Sequence, residues 1–522
     1  MKEDCVALLT ILDGFNTKWL NQAAMPNIKE ILETGCGTLR CKSVYPSVTY
    51  TAHCSLLTGE YPSVHGIVGN CFYEKKAQRS INFDVDDVNE YLQTSTIFEK
   101  INGITAAIGE PITRGADIVI SKSKVQEKPL WKQDEYCTEE AIRIMENNSP
   151  QLLLINFTSI DRIAEKYGPF SKEVMKAVEN ADRLIGTLKT HLNRNYKDYL
   201  LLVTADHGMT TVNSNINLSE ILGGVEANIF PSHRFAHIYL DHDEVSDVRN
   251  ILESDERIEL ILTLEESRKI NLFNQRTGHL IVSAEKGYEL TDERLKGSHG
   301  GITDDEMYVP LIINKPEYHD VLENATILDV QMIIFRYFNE KEAEKLVKNK
   351  LKDSDPAHNW NHVKRVLRRA TDLAMTQRAR IEMVRMSCIF HDVERKEVEN
   401  HAKRGAELAE KFLKQKGYSE DFIRGVKESI LQHHEKPEEL KTVEAKILWD
   451  ADKLDALGLI GLIRCLKEAE FEKKSLEDAI LHFERDNEQF KFAMHFDETQ
   501  KTAFEEVQIV EELLKKIKKE YT

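Results

Sequence analysis

Three aspartates in the first 210 residues each close an apolar run: Asp13 ends VALLTILD, Asp161 ends LLLINFTSID and Asp206 ends YLLLVTAD. Such runs read as parallel strands buried on both faces. Strand ends of this kind gather at one edge of the sheet, where α/β folds bind their ligands. His207, adjacent to Asp206, and His299, in KGSHGG, add imidazoles to these carboxylates. That mixture suits zinc or manganese, with enough donors for two ions about 4 Å apart that clamp an in-line phosphoryl displacement. Thr49, in PSVTYTAHCSLL, stands just before a short helical stretch, where free backbone N–H groups and the helix dipole favour a phosphate. Its hydroxyl is a candidate nucleophile if a base or a metal holds the alkoxide.

A second set of metal-binding residue types lies near the other end. DPAHNWNHVKRVLRR places His358 and His362 one helical turn apart, and SCIFHDVERKE supplies His391 beside Asp392. LQHHEKPEE adds His433 and His434, which could bind a second metal or a substrate phosphate, and ILWDADKLDALG adds Asp450, Asp452 and Asp455. Imidazoles and carboxylates converging from separate helices make a metal site inside a bundle. Lys364, Arg365, Arg368 and Arg369 form a basic helix face, read as solvated or phosphate-binding.

The elements that must carry these residues differ between the two ends. Between the N-terminal strands lie helical patterns such as MPNIKEILETG and FSKEVMKAVENADRLIGTLKTHL, the alternation of a doubly wound α/β sheet, and VPLIINKP supplies a later strand. Residues 211–295 interrupt the pattern with HRFAHIYL, DEVSDVRNILES and TGHLIVSAEKGY, a small α+β insertion read as a cap. From about residue 340 the chain turns to Lys/Glu-rich amphipathic helices, an all-α domain. Charge marks the same boundary: residues 341–522 hold 36 Lys and Arg against 37 Asp and Glu, so nearly all of the net −18 belongs to the first 340.

That acidity argues against duplex nucleic acid as a partner, since such binding needs Lys and Arg to neutralise phosphates. With 522 residues, 41% hydrophobic and 30% charged, the chain has the composition of a soluble protein of more than one domain, without an apolar run long enough for a membrane span. The eight cysteines form no CxxC pair, and MKEDCVALLT lacks the positive start of a signal peptide. The expectation is a cytoplasmic protein with reduced thiols.

In order, spacing and motif context, residues 5–340 resemble the alkaline phosphatase superfamily, specifically the nucleotide pyrophosphatase/phosphodiesterase branch and its neighbour phosphonoacetate hydrolase. The resemblance implies that Asp13, Thr49, Asp206 and His207 hold one metal, and that Asp161, position 165 and His299 hold the other. Position 165 is Glu165 where that family usually has histidine, which shifts the second site towards carboxylate and manganese. Asn70, in HGIVGN, resembles the asparagine that contacts the phosphate oxygen and stabilises its charge. The phosphonoacetate branch grips a substrate carboxylate with lysines after the strand near residue 109. This chain reads AAIGEPITRGAD there and offers Arg114. His53 and His65, in the same motif, read as structural, and His237 and His279 in the cap have no assigned role. Residues 355 to about 510 resemble the HD-domain phosphohydrolases, whose ligand pattern falls on His362, His391, Asp392 and Asp452, and DADKLDALG resembles the branch acting on nucleotides.

The expectation is a bifunctional metal-dependent phosphohydrolase. Its domains are residues 1–340 with the cap at 211–295, a linker at 341–354, and an HD domain at 355–522. The N-terminal domain, with two Zn2+ or Mn2+ ions, cleaves phosphodiester or pyrophosphate bonds of a small nucleotide through a phosphothreonine. The HD domain, with one or two divalent ions such as Mn2+ or Mg2+, hydrolyses a nucleotide or related ester by direct attack of water. The alternatives are phosphonoacetate-type C–P hydrolysis and a nucleotide-sensing domain that regulates a single active one.

Overall fold

The computed structural model describes residues 5–393 and 401–521, so the first four residues and the tail of the SCIFHDVERKE motif lie outside it. The chain divides into two compact units, residues 1–335 and 336–522.

The first unit is built on a seven-stranded sheet, in the order Cys36–Lys42, Tyr308–Ile313, Tyr199–Thr204, Val6–Leu12, Leu152–Phe157, Thr105–Ile108 and Ile118–Ile120. Val6–Leu12 pairs in parallel with both Leu152–Phe157 and Tyr199–Thr204, and every residue of Val6–Leu12 and Leu152–Phe157 is buried. Tyr308–Ile313, the strand expected from VPLIINKP, runs antiparallel to both its neighbours, so the sheet is mixed.

Helices cover the sheet because their apolar residues share one face. In Lys172–Asn195 the buried apolar positions are Val174, Ala177, Val178, Ala181, Leu184, Ile185, Leu188 and Leu192, which recur at three- and four-residue spacing along one face. The Ser171 cap, accepting from Val174 N, is worth about 1 kcal/mol. Each buried aliphatic side chain is worth about 1.5–3 kcal/mol, so the face outweighs the cap in fixing this helix.

Within residues 211–295 a four-stranded antiparallel sheet forms, in the order Asn228–Ser232, Phe235–Tyr239, Leu280–Ala284 and Ile258–Thr263. Its own core includes Ile238, Val248, Leu252, Leu280 and Val282, with Val248 and Leu252 contributed by the helix Val245–Glu253.

The second unit is helical among its described residues. Trp360–Thr376, Ile381–Phe390, His401–Gln415, Glu420–Gln432 and Val443–Ala456 enclose a core containing Val363, Val366, Ile389, Phe390, Phe412, Val426 and Leu448. Most of the segment expected as a linker is instead the end of a helix, Asp329–Lys350, whose Ala343 and Val347 are fully buried in that core. An amphipathic turn with an apolar seam packs rather than spans.

Candidate active sites

In the first unit Asp13 follows directly on Leu12, and Asp206 lies just beyond the Tyr199–Thr204 strand. Asp161 differs from the expectation of a strand end. The strand stops at Phe157, and Asp161 occupies the first turn of the helix Ser159–Tyr167, which places Glu165 one turn later on the same face. Thr49 opens the ten-residue helix Thr49–Thr58.

These residues converge. Thr49 Oγ1 is 3.3 Å from His207 Nε2, which is 3.1 Å from Asp206 Oδ2 and 3.8 Å from Asp13 Oδ1. His299 Nε2 is 3.9 Å from Asp161 Oδ1, and the His207 and His299 rings stack with centroids 3.6 Å apart. Gly14 N donates to Asp206 Oδ1, and a Cβ on Gly14, at φ +70°, would lie 2.7 Å from Asp161 Oδ1. Only glycine permits that approach.

The donor set fits divalent cations. His207 Nδ1 is held 2.9 Å from Gly208 O, and His299 Nδ1 2.9 Å from Ser47 O, so each ring turns Nε2 inward. Asp13 Oδ1, Asp161 Oδ1, Asp206 Oδ2 and His299 Nε2 are buried with no hydrogen-bond partner. Such orphaned atoms are costly unless an ion joins them. Burial, and then the Asp206 carboxylate, raise Asp13 to about 6. Burial followed by Glu165 pushes Asp161 well above the usual range. Burial also opposes ionisation of Asp206, but His207 and His53 hold it well below the usual range.

Asn70 accepts from Tyr50 N through Oδ1 at 3.2 Å, which commits its oxygen and leaves the amide N–H groups as donors beside Thr49. Arg114 is not brought to this site. Its Nε donates to Glu99 Oε2 at 3.2 Å, and its two terminal nitrogens donate to the carbonyls of Leu92, at 3.0 Å, and Thr94. A cation that interacts electrostatically with Asp13 is Lys122, at the start of the helix Lys122–Gln126, with Nζ 5.0 Å from the Tyr50 ring centroid. Burial works against its charge, but Tyr50 and Asp13 raise its pKa.

His53, read as structural, sits behind the ligands: Nε2 is 3.4 Å from Asp206 Oδ2 and Nδ1 is 2.8 Å from Glu110 Oε2. Its spacing of four from Thr49 was the available signal. His65 is structural, with Nε2 2.9 Å from Ser55 Oγ. His237 Nε2 is 3.0 Å from Val68 O, and His279 Nδ1 accepts from Leu240 N.

In the second unit His362 Nε2 lies 3.2 Å from His391 Nε2, 3.4 Å from Asp392 Oδ2 and 3.3 Å from Asp452 Oδ1. Both rings are oriented from behind, His362 Nδ1 by Asp455 Oδ2 at 2.7 Å and His391 Nδ1 by Cys388 O at 2.7 Å. Burial favours neutral His362, but the three aspartates raise it to about 9, whereas burial takes His391 down to about 4. Arg365 Nε, at 2.7 Å, and Arg464, at 2.9 Å, bind Asp455, so part of the basic face neutralises a buried carboxylate. His358 pairs with Asp355, and Asp450 with His495. The other oxygen of Asp392 faces His433 Nε2 at 3.7 Å and His401 Nε2 at 4.0 Å, and with His434 these residues form a second ligand-capable group. His401 was not among the residues expected. Its only sequence signal is its residue type.

A family model described as type I phosphodiesterase / nucleotide pyrophosphatase matches residues 7–304, and one described as HD domain matches residues 359–457. Venom phosphodiesterase 2 of Crotalus adamanteus is 27% identical over 237 residues, which cover 40% of this chain and 27% of that protein. Ectonucleotide pyrophosphatase/phosphodiesterase family member 7 of Rattus norvegicus is 27% identical over 250 residues, 44% of this chain and 55% of that one. The chain thus spans from about a quarter to about half the length of these relatives. Among solved structures, murine ectonucleotide pyrophosphatase/phosphodiesterase 5 gives a TM-score of 0.54 at 20% identity, covering 64% of this chain and 95% of that one. Phosphonoacetate hydrolase from Sinorhizobium meliloti 1021 gives the same TM-score and coverage at 22% identity. Both share the fold of the first unit. No helix among the described residues is long and apolar enough to cross a membrane.

Proposed function

Because the chain belongs to the type I phosphodiesterase / nucleotide pyrophosphatase family and carries a C-terminal HD domain, we propose that it is a bifunctional phosphohydrolase. The first unit cleaves phosphodiester or pyrophosphate bonds of nucleotides with Thr49 as nucleophile, and the second hydrolyses a nucleotide or related phosphate ester. The observation that carries the reading is the convergence of Thr49 Oγ1, His207 Nε2 and the unpartnered oxygens of Asp13 and Asp206.

Asp13, Thr49, Asp206 and His207 would hold one divalent cation, and Asp161, Glu165 and His299 a second. In the HD unit His362, His391, Asp392 and Asp452 would hold a third, with room for a fourth at His401, His433 and His434. When bound, the cations of the first unit supply Lewis-acid stabilisation of the threonine alkoxide and of the phosphoryl oxygens. The protein's own groups do the rest. Thr49 Oγ, losing its proton to solvent, attacks the phosphorus that carries the nucleoside while the bond to the leaving group breaks, giving a nucleotidyl-threonine diester that water then hydrolyses to the nucleoside monophosphate and free Thr49. The Thr49 N–H at the start of the Thr49–Thr58 helix and the Asn70 amide, whose oxygen is taken by Tyr50 N, donate to the phosphoryl oxygens as charge builds on them. In the HD unit water attacks directly, with no covalent intermediate.

The test is ³¹P NMR product analysis after incubating ATP with metal-loaded full-length protein, comparing wild type, Thr49→Ala and Asp392→Ala. AMP and pyrophosphate, lost only in Thr49→Ala, support the assignment of the first unit. Products that persist in Thr49→Ala and vanish in Asp392→Ala overturn it and assign the nucleotide hydrolysis to the HD unit.

Lys122 favours a second reading, phosphonate C–P hydrolysis, because it sets against the Tyr50 ring, within electrostatic reach of Asp13, a cation of the kind that such a substrate's carboxylate needs and that Arg114 does not supply. Release of phosphate and acetate from phosphonoacetate, with KM raised about tenfold in Lys122→Ala, is its signature.

A further inference from the structure

We propose that His233, at the tip of the cap hairpin, is a fourth protein ligand of the cation held by Asp161, Glu165 and His299, so that the cap supplies part of the metal centre. The proposal rests on the reading of those three residues as a metal site.

Ligand-capable atoms of Glu165, His233 and His299 all lie within 4.8 Å of one another. His233 Nδ1 is 3.9 Å from Glu165 Oε1, and its ring centroid is 4.1 Å from that of His299. A gap of 3.9 Å is too wide for a hydrogen bond. It matches two atoms that share one ion, since ligands bound at about 2.0–2.2 Å stand no more than about 4 Å apart. His233 Nδ1 and His299 Nε2 are both buried with no hydrogen-bond partner, and the His299 side chain is 1% exposed. Two imidazoles thus gather about Glu165, and His299 Nε2 also faces Asp161 Oδ1 at 3.9 Å.

The backbone makes the histidine conspicuous. Ser232 pairs with Phe235, leaving a two-residue connection, His233 and Arg234. His233 sits at φ +57°, where short hairpins favour glycine or asparagine because other side chains are strained there. The tip is pinned against the loop that carries His299: Leu290 N donates to His233 O at 3.2 Å, and Arg234 N donates to His299 O at 3.0 Å. Arg234, fully buried, pairs with Glu306 and donates to Ala284 O at 2.7 Å. Gly300, at φ +101°, admits the hairpin so closely that a Cβ would lie 3.0 Å from Ser232 O. The imidazole is therefore presented by a clamped turn.

With His233 the donor set becomes two carboxylates and two imidazoles, a composition that suits zinc as well as manganese. Occupancy of the ion and the position of the cap are then linked, because the ion ties the hairpin to the helix Ser159–Tyr167.

The test uses full-length protein loaded with Zn2+ and titrated with a chelator, following the metal retained per chain in wild type, His233→Gly and Asp161→Asn. Glycine takes the left-handed turn freely, so His233→Gly keeps the fold, and its metal-free thermal midpoint does not fall below that of wild type. The expected result is that His233→Gly gives up one equivalent at a chelator activity at least about tenfold lower, the other equivalents being unchanged. X-ray absorption should then show fewer imidazoles per zinc. A release curve superimposable on wild type, with that equivalent lost in Asp161→Asn, overturns the role of His233 and leaves the three-residue site standing. Retention of all equivalents in Asp161→Asn overturns the underlying metal site as well.

Discussion

His53 Nε2 lies 3.4 Å from Asp206 Oδ2, while the opposite nitrogen of the same ring lies 2.8 Å from Glu110 Oε2. Burial of the ring favours its neutral form, but Glu110 and Asp206 raise its pKa well above the ordinary value. The ring, held at its far nitrogen by Glu110, stands behind the Asp206 carboxylate, whose Oδ2 lies 3.1 Å from His207 Nε2. His53→Ala should reduce kcat/KM of the Thr49-dependent reaction by about 10–100-fold, the usual cost of removing a group that orients a ligand. It should also loosen metal retention in the first unit. Steady-state kinetics beside a chelator titration would check both, and unchanged values in each would remove His53 from the site.

Lys122 and Arg114 separate a substrate cation from a structural one. Arg114 is consumed by Glu99 and two backbone carbonyls, so Arg114→Ala should lower thermal stability and leave KM within about twofold. Lys122→Ala should raise KM about tenfold for a substrate with a second anionic group, the worth of one charge-assisted contact. A KM response in Arg114→Ala and none in Lys122→Ala would reverse the assignment.

Asp455 acts on the HD unit through His362. Its carboxylate, whose ionisation burial opposes, is held at about 2 by the His362 hydrogen bond and Arg365. Asp455→Asn keeps the shape but accepts more weakly at His362 Nδ1, so Mn2+ affinity at that site should fall about 10–100-fold. Products that depend on Thr49 should not change. Calorimetric Mn2+ titration of Asp455→Asn is the check, and wild-type affinity would show that Asp455 is merely a partner for Arg365 and Arg464.

What the sequence revealed follows physical periodicity and range. Val6–Leu12 and Leu152–Phe157 could be read as strands because both their faces are buried and the apolar run is unbroken. LLLINFTSID reads as one run ending at Asp161 because Ile160 follows the apolar stretch after only two small polar residues, yet those two, Thr158 and Ser159, already turn the chain into a helix. The reversed direction of Tyr308–Ile313 leaves no local trace, since a buried strand reads the same either way. Asp13, Asp206, His207, His362 and Asp452 stood in recognisable contexts. Lys122, His233 and His401 did not, because what distinguishes them is the approach of distant segments, from the cap hairpin in the case of His233.

Glu340 and Arg385 form a buried ion pair in the helical unit, with Arg385 Nε donating to Glu340 Oε2 at 2.8 Å and a terminal nitrogen donating to Thr371 Oγ1 at 2.7 Å. Burial alone would raise Glu340, but Arg385 brings it down to about 2. An unfolded glutamate titrates near 4.3. The pair's contribution is therefore complete above about pH 5 and is lost as pH falls towards 2, because the unfolded chain binds the proton first. Glu340→Gln replaces the carboxylate that accepts from Arg385 and should cost about 1.5–3 kcal/mol at pH 7, the worth of hydrogen bonds between charged groups. Scanning calorimetry of the full chain at pH 7, 5 and 3 should show one transition lowered in Glu340→Gln, with the gap to wild type narrowing towards pH 3. A gap that stays constant or widens on acidification would mean that the carboxylate is not held ionised by Arg385.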